Sequence, residues 1–357
     1  MGLALGVGIG IPFGGIALSK AALLLAAESN GLAVDGTDLS MVIKDQTTPA
    51  NAFLGDPNSK FTYASPGTKW ILNQSGVYVS GTTLRTEYNA SGVALGVLIE
   101  DARTNLFLNS RSPVTQSITT TAQSYTISGL GAAGATLVLS GTATGTLTGT
   151  AAKDRDKLTF TATAGTLTVT VTGTWDFVNV EAGAFATSPI VTGGSPIARA
   201  VDDVSIGVGS FPIGTEITVG IAYRPVNVTS GTLASVGTLL SGGVHGFYQS
   251  GGSLVQFSHN GAATQALFSL PGAASFAQNE LIVAAGRFKA SDFAADSNKG
   301  AVITQASGAY ANPTTVLRIG GNQFGGVFPS AYIKNVVVLP TGKDNTGVAS
   351  LITSMGG

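Results

Sequence analysis

The sequence has no cysteine. That absence excludes disulfide staples, thiolate nucleophiles and cysteine metal sites together. Charge is scarce as well: 10% of residues are Asp, Glu, Lys or Arg, and the formal net charge is −1, where a typical soluble domain carries roughly a quarter. No global field exists to recruit nucleic acid or an anionic membrane. There are two histidines, His245 and His259. Histidine is the commonest catalytic base, so their scarcity argues against an enzyme. In place of charge there is glycine, 49 residues of it, with abundant Thr, Ser and Ala. Such a surface is covered by small polar groups or buried against partner chains.

From Ser112 to Ala152 no side chain is charged. Stretches such as "ATLVLSGTATGTLTGT" and "KLTFTATAGTLTVTVTGTW" alternate apolar residues with Thr or Ser, the period of two of half-buried strands. Leu158 and Phe160 share one phase, and Leu167, Val169 and Val171 the other. The change at Ala164–Gly165 is expected to be a tight hairpin. The Pro/Gly-rich stretch 187–203 reads as a connector, and short strands with turn signals resume after it, including a hairpin at Asn260–Gly261. Near the start, Ser19 is expected to cap a short helix running to about Ser29, and "NTGVASLITSMGG" a terminal one. The expected class is all-β, with tandem β-sandwich or jelly-roll domains behind a short N-terminal segment. The expected organisation is 1–29 docking segment, 30–110 β-rich module, 111–206 β-sandwich, 207–341 jelly roll and 342–357 tail.

"MGLALGVGIGIPFGG" at the N-terminus fits neither a secretory leader nor a nucleotide loop. It has no basic residue before its apolar run, and no strand precedes its glycines. Pro12 and Lys20 interrupt a spanning helix, so no membrane insertion is expected. Read with period two, Leu3, Leu5, Val7, Ile9 and Ile11 face one side and glycines the other, with Phe13 following. That is a strand suited to addition onto a partner.

The stretch 61–110 carries "GVLIEDARTNL", with Glu100, Arg103 and Asn105 at its centre. The stretch 158–206 carries "VEAGAFATSPI", with Glu181, and then "ARAVDD", with Arg199. These two ordered signatures resemble a module and the following β-sandwich of tailed-bacteriophage structural proteins. The region 207–340 is similar, more loosely, to a concanavalin-like or laminin-G-like jelly roll. The resemblance implies a virion component made in the bacterial host cytoplasm: a fibre, a tail or collar accessory, or a capsid decoration. It implies other virion proteins as partners, a homo-oligomer with a trimer favoured, and jelly rolls that face host surface glycans. A carbohydrate-binding adhesin is the alternative, and a polysaccharide depolymerase the third reading.

Site residues follow from chemistry. Buried arginine in a β-module fixes backbone through planar, charge-assisted bonds; Arg103 and Arg199 are expected in that role, with Glu100 and Glu181 as partners. Glu100–Asp101 and Asp202–Asp203 are adjacent and so point to opposite strand faces. Asp154 and Asp156 lie in "KDRDK", which reads as a solvated loop. No catalytic residue, cofactor, metal site or nucleic-acid partner is expected. Sugar rings present flat apolar faces, which makes Trp70, Trp175, Tyr248 and Tyr310 possible platforms. His245, Phe247 and Tyr248 in "GGVHGFYQSGG" form the candidate glycan group.

Overall fold

The computed structural model describes residues 19–64, 68–227, 230–237, 243–260, 262–270, 276–313, 316–320 and 330–356. The proposed docking strand, with Leu3, Leu5, Val7, Ile9, Ile11 and Phe13, lies outside them. Within them the chain is all-β in its main elements, and every strand pair is antiparallel. The β-branched alternation of the sequence becomes ladder after ladder, each with one face turned to a core.

Two sheets form the principal sandwich. The larger has ten strands, running in space from Ile303–Gln305 through Phe293–Ser297, Ile282–Phe288, Ile217–Pro225, Ala331–Leu339, Gly31–Asp35 and Ser40–Lys44 to Phe53–Gly55, with Ala94–Ile99 and Thr86–Tyr88 continuing from one end of Ala331–Leu339. The smaller has seven, from Thr264–Ser269 to Thr62–Ala64. Their inner faces share a core that includes Leu32, Ile43, Ile99, Tyr223, Phe247, Phe288 and Val338. The expected boundary between a 30–110 module and a 207–341 jelly roll therefore does not describe these sheets. Val97, Leu98 and Ile99 pair with Ile333, Tyr332 and Ala331, and Leu32 pairs with Val338. The physical reason is burial: strands 31–35 and 94–99 are apolar along most of their length and need neighbours on both sides.

The second unit is inserted into the first. It enters at Arg103–Asn105 and leaves at Ile197–Arg199, and these two segments pair, Arg103 opposite Arg199. Between them, a four-stranded and a three-stranded sheet enclose Ile127, Leu137, Leu167, Val169, Val178 and Val180. The expected hairpin at Ala164–Gly165 is instead a crossover. Asp156–Ala162 pairs with Gln123–Gly131, whereas Gly165–Thr172 pairs with Gln116–Thr120 and Thr136–Gly141 in the other sheet. The phase change that suggested a turn is the change of sheet: Phe160 and Leu167 face the same core from opposite sides.

At Asn260 the expected hairpin is seen from its flanks. Ser253–His259 pairs with Thr264–Ser269, and the Asn260 side chain accepts from the amides of Ala262 and Ala263; Gly261 lies outside the described residues.

Two short helices cover the outer face of the larger sheet. Lys20–Leu24 is capped by Ser19, whose hydroxyl accepts from the Ala22 amide at 3.1 Å. Lys44 Nζ reaches the carbonyls that follow this helix, among them Glu28 O at 3.0 Å. Asn345–Ser354, capped by Asp344, sets Val348, Leu351 and Ile352 against Ala222, Val283 and Val337. The 342–357 segment is thus a packed helix over much of its length.

Candidate functional site

The two units meet around a buried ionic cluster. Lys69 Nζ lies 2.6 Å from Asp202 and 3.2 Å from Glu100, and Arg199 lies 3.0 Å from Glu100. Glu100 also accepts from the amide and hydroxyl of Ser188, both at 2.6 Å. Asp202 accepts from the Glu100 amide at 2.9 Å and from Tyr63 at 2.9 Å. Burial alone would raise the Glu100 carboxyl. Arg199, Lys69 and the Ser188 bonds outweigh it and hold that carboxyl at about 2. Burial likewise opposes the charge on Lys69, and Asp202 and Glu100 outweigh it, so its pKa is raised.

The signature residues serve this joint. Arg199 reaches Glu100 and Ser188. Arg103 pairs with Asp101 at 3.0 Å and lies over the Phe185 ring, 4.5 Å from its centroid. Asn105 is fully buried; its amide donates to Val178 O at 3.1 Å and Ile190 O at 2.8 Å, and its oxygen accepts from the amides of Phe107 and Val180, both at 3.0 Å. Glu181 accepts from the Thr187 amide at 3.2 Å and from its hydroxyl, not from either arginine.

The candidate glycan group of the sequence reading does not form a surface. His245 and Phe247 have no exposed area. They sit in the strand Val244–Ser250, paired on both edges by Gly231–Val236 and Ser253–His259. His245 stacks on Tyr310 at 4.6 Å and bonds to Ser258 Oγ and Ala311 O, both at 2.8 Å. Burial lowers its pKa to about 4, against the Ala311 bond, and keeps the ring neutral. Tyr248 is half-buried on the same strand. Of the other platforms, Trp175 is buried, Tyr310 lies against His245, and Trp70 packs edge-on to Phe177 at 4.9 Å with Arg111 above. Among the described residues, no group of three or more His, Asp or Glu is placed to hold a metal ion, and no helix is long and apolar enough to cross a membrane.

Beside the ionic cluster, a cleft of about 590 Å³ opens between the units. The outer unit supplies Leu72, Tyr78, Glu87, Tyr88, Arg224 and Tyr332. The inserted unit supplies Thr126, Arg155, Lys157, Thr159 and Phe185. "KDRDK" is on this wall and is not a solvated loop throughout. Arg155 is 6% exposed, and its guanidinium donates to Ser128 Oγ at 2.8 Å and to Thr187 O. Glu87 is 7% exposed, and its Oε2 has no hydrogen-bond partner. Burial, and then the charge of Glu100, push its carboxyl up to about 7; Lys69, the Leu72 amide and Arg155 oppose them.

The rim carries two matching turns, Asn73–Val77 ("NQSGV") and Asn89–Val93 ("NASGV"). In each, the Asn side chain accepts from the Val amide at 2.9 Å, and the Gly takes φ near +80°, a conformation that favours glycine. The tips touch: a Cβ on Gly92 would stand 3.0 Å from Gln74 O. Val77 and Val93 are left exposed. This repeat is the signal in the sequence that marks the rim. Glu87 and Arg155 carry no such mark.

No protein-family model matches this chain, and no curated protein matches it. Among solved structures it is similar to the binding domain of botulinum neurotoxin DC in complex with SialylT, at 14% identity and a TM-score of 0.34, covering 43% of this chain and 40% of that one. It is also similar to a native heptameric SAP-like pentraxin from Limulus polyphemus (11%, 0.30, 71% and 82%) and to domains LG4-5 of the mouse laminin alpha1 chain (11%, 0.28, 68% and 90%). The similarity is distant. The chain spans about 40% of the length of the first receptor-binding domain it matches.

Proposed function

We propose that this chain is a carbohydrate-binding protein and that its ligand lies in the cleft between the outer sandwich and the insert. The observation that carries the reading is the cleft itself. Its volume of about 590 Å³ is of ligand-pocket size. Its walls combine the phenol rings of Tyr78, Tyr88 and Tyr332 with the hydroxyls of Thr126 and Thr159 and with planar charged groups. Rings offer the apolar face of a sugar a platform, and planar polar groups accept or donate to its hydroxyls in pairs. The expected result on a glycan array is saturable binding by the whole chain. Thr159→Trp, which fills the cleft from an exposed position, is expected to abolish it. Val138→Trp, on an exposed position of the insert that does not line the cleft, is expected to leave it intact. An array without signal overturns the reading.

A second reading is favoured by where the signature residues fall. Gly96–Leu106 and Val180–Asp202, which resemble tailed-bacteriophage structural proteins, contain the Glu100, Asn105, Ser188 and Arg199 that join the insert to the outer sandwich, and the Asp202 that bonds to the Glu100 amide and Lys69. We propose that the chain displays the cleft on a virus particle as a homo-oligomer, without catalysis of its own, and that residues 1–19 attach it there. Particles assembled with a chain lacking residues 1–19 are expected to be depleted of the protein by mass spectrometry. Undiminished incorporation overturns the attachment.

A further inference from the structure

The cleft wall is short of negative charge. Three cations line it, Arg155, Lys157 and Arg224. Arg155 bonds to Ser128 Oγ and Thr187 O, and Arg224 to Asn279 O at 2.8 Å, all neutral groups. Three carboxylates line it too, but Glu100 is taken by Lys69 and Arg199. That leaves Asp154 and Glu87 opposite three positive groups. Glu87 is more than nine-tenths buried with an unbonded Oε2, and Arg155, equally buried, has an unbonded Nε. Folded proteins bond nearly all such atoms.

We propose that the cleft takes an acidic glycan, its carboxylate or phosphate held by Arg155, Lys157 and Arg224, with the unbonded Oε2 of Glu87 meeting a ligand oxygen or hydroxyl. The inference rests on the carbohydrate reading above and names its ligand class. An anion supplies the charge that the wall lacks, in a site partly withdrawn from water where such a pair is strong. Ionised Glu87 repels that anion, so the ligand and the Glu87 proton bind together. The charges that act on Glu87 include the cations Lys69, Arg85, Arg155 and Lys157, the carboxylate Glu100, and the phenols Tyr78 and Tyr332, and Asp154 lines the same cleft. Lys69 and Glu100 neutralise each other within the ionic cluster, which leaves Glu87 the carboxyl that titrates near neutrality.

The test is the whole chain on an array that pairs sialylated, uronic-acid and phosphorylated glycans with their neutral counterparts, read at pH 6 and pH 8. Acidic members are expected to bind at least tenfold more tightly than the neutral ones. The carboxylate and phosphate members tell the two anion sources apart. For the sialylated and uronic-acid members, whose charge is constant over this range, the apparent affinity is expected to fall about tenfold from pH 6 to pH 8, because the competent fraction falls as Glu87 ionises; phosphate monoesters gain charge of their own near pH 6 and are compared at a single pH. In Glu87→Gln, a neutral isostere at a position where burial disfavours charge, that pH effect is expected to vanish. Lys157→Gln with Arg224→Gln, both lining the cleft, is expected to cost at least tenfold for acidic glycans and several-fold less for neutral ones, so that the preference for acidic members is lost. Binding of neutral glycans without preference for acidic ones overturns this inference and leaves the carbohydrate reading standing. Acidic binding that is flat with pH overturns the part given to Glu87. No binding at either pH overturns both.

Discussion

Replacing Glu100 with glutamine is expected to lower the stability of the folded chain by about 3–5 kcal/mol, the cost of leaving buried charge without its partner. Glu100 is 1% exposed and meets Lys69, Arg199 and Ser188. Glutamine keeps the shape and loses the charge. Arg199 then stays buried beside a neutral amide, while Lys69 retains Asp202. The same magnitude follows from titration. A carboxyl held at about 2 in the fold, against an ordinary 4.5, contributes about 3 kcal/mol. Its folded value is depressed, so this stability is fully present above about pH 4.5 and is lost as pH falls through about 2. Urea unfolding followed from pH 7 to pH 2 checks both points. The wild-type chain is expected to lose stability across that acid range, and Glu100→Gln to lack this component. A variant within about 1 kcal/mol of wild type at pH 7 would show that the cluster contributes little.

Asn105→Leu is expected to cost about 4 kcal/mol or more. Leucine is of similar size and removes four bonds to buried backbone groups: those of Phe107, Val178, Val180 and Ile190. An orphaned buried group costs about 1–3 kcal/mol, and strand Trp175–Ala182 and the return segment through Ile190 lose their anchor to the root of the insert together. Calorimetry is expected to show the insert melting earlier than the outer sandwich. A single transition within a few degrees of wild type would mean that the ribbon pairing of Arg103–Asn105 with Ile197–Arg199 suffices alone.

Both predictions fall on residues singled out from the sequence. The period-two alternation from Tyr125 to Val180 was legible because each strand there has one wet face and one dry face, as were the caps at Ser19 and the strands around Asn260. The nesting of the units was not. Strand 31–35 needs strand 331–339 beside it, and no local pattern states a partner three hundred positions away. The crossover at Ala164–Gly165 was misread for a related reason: a phase change looks the same whether the chain turns back in one sheet or moves to the opposite one. The candidate site was the least legible part. "VHGFYQSG" has the glycines of a loop, yet Gly246 is there because the backbone of a neighbouring strand passes close: a Cβ on it would stand 2.1 Å from Ala234 O. Glu87 and Arg155 are ordinary surface letters until two units close over them.

The antiparallel ribbon at the root of the insert bears on the order in which a newly made chain acquires its structure. Glu100 and Asp202 are 102 positions apart, so the ends of the outer sandwich wait through that length of synthesis before they meet. The insert consists of contacts that are nearer in sequence, and such contacts form first. Once it is folded, Arg103 and Arg199 are held opposite each other, and a wide loop has become a narrow gate. The entropy of closing it has then been met by the insert's own cohesion. In the interval, the apolar strands of 31–99 are exposed without their later partners, the stage at which a β-rich chain is most open to aggregation. A chain built this way has its guest domain as the timer of its host.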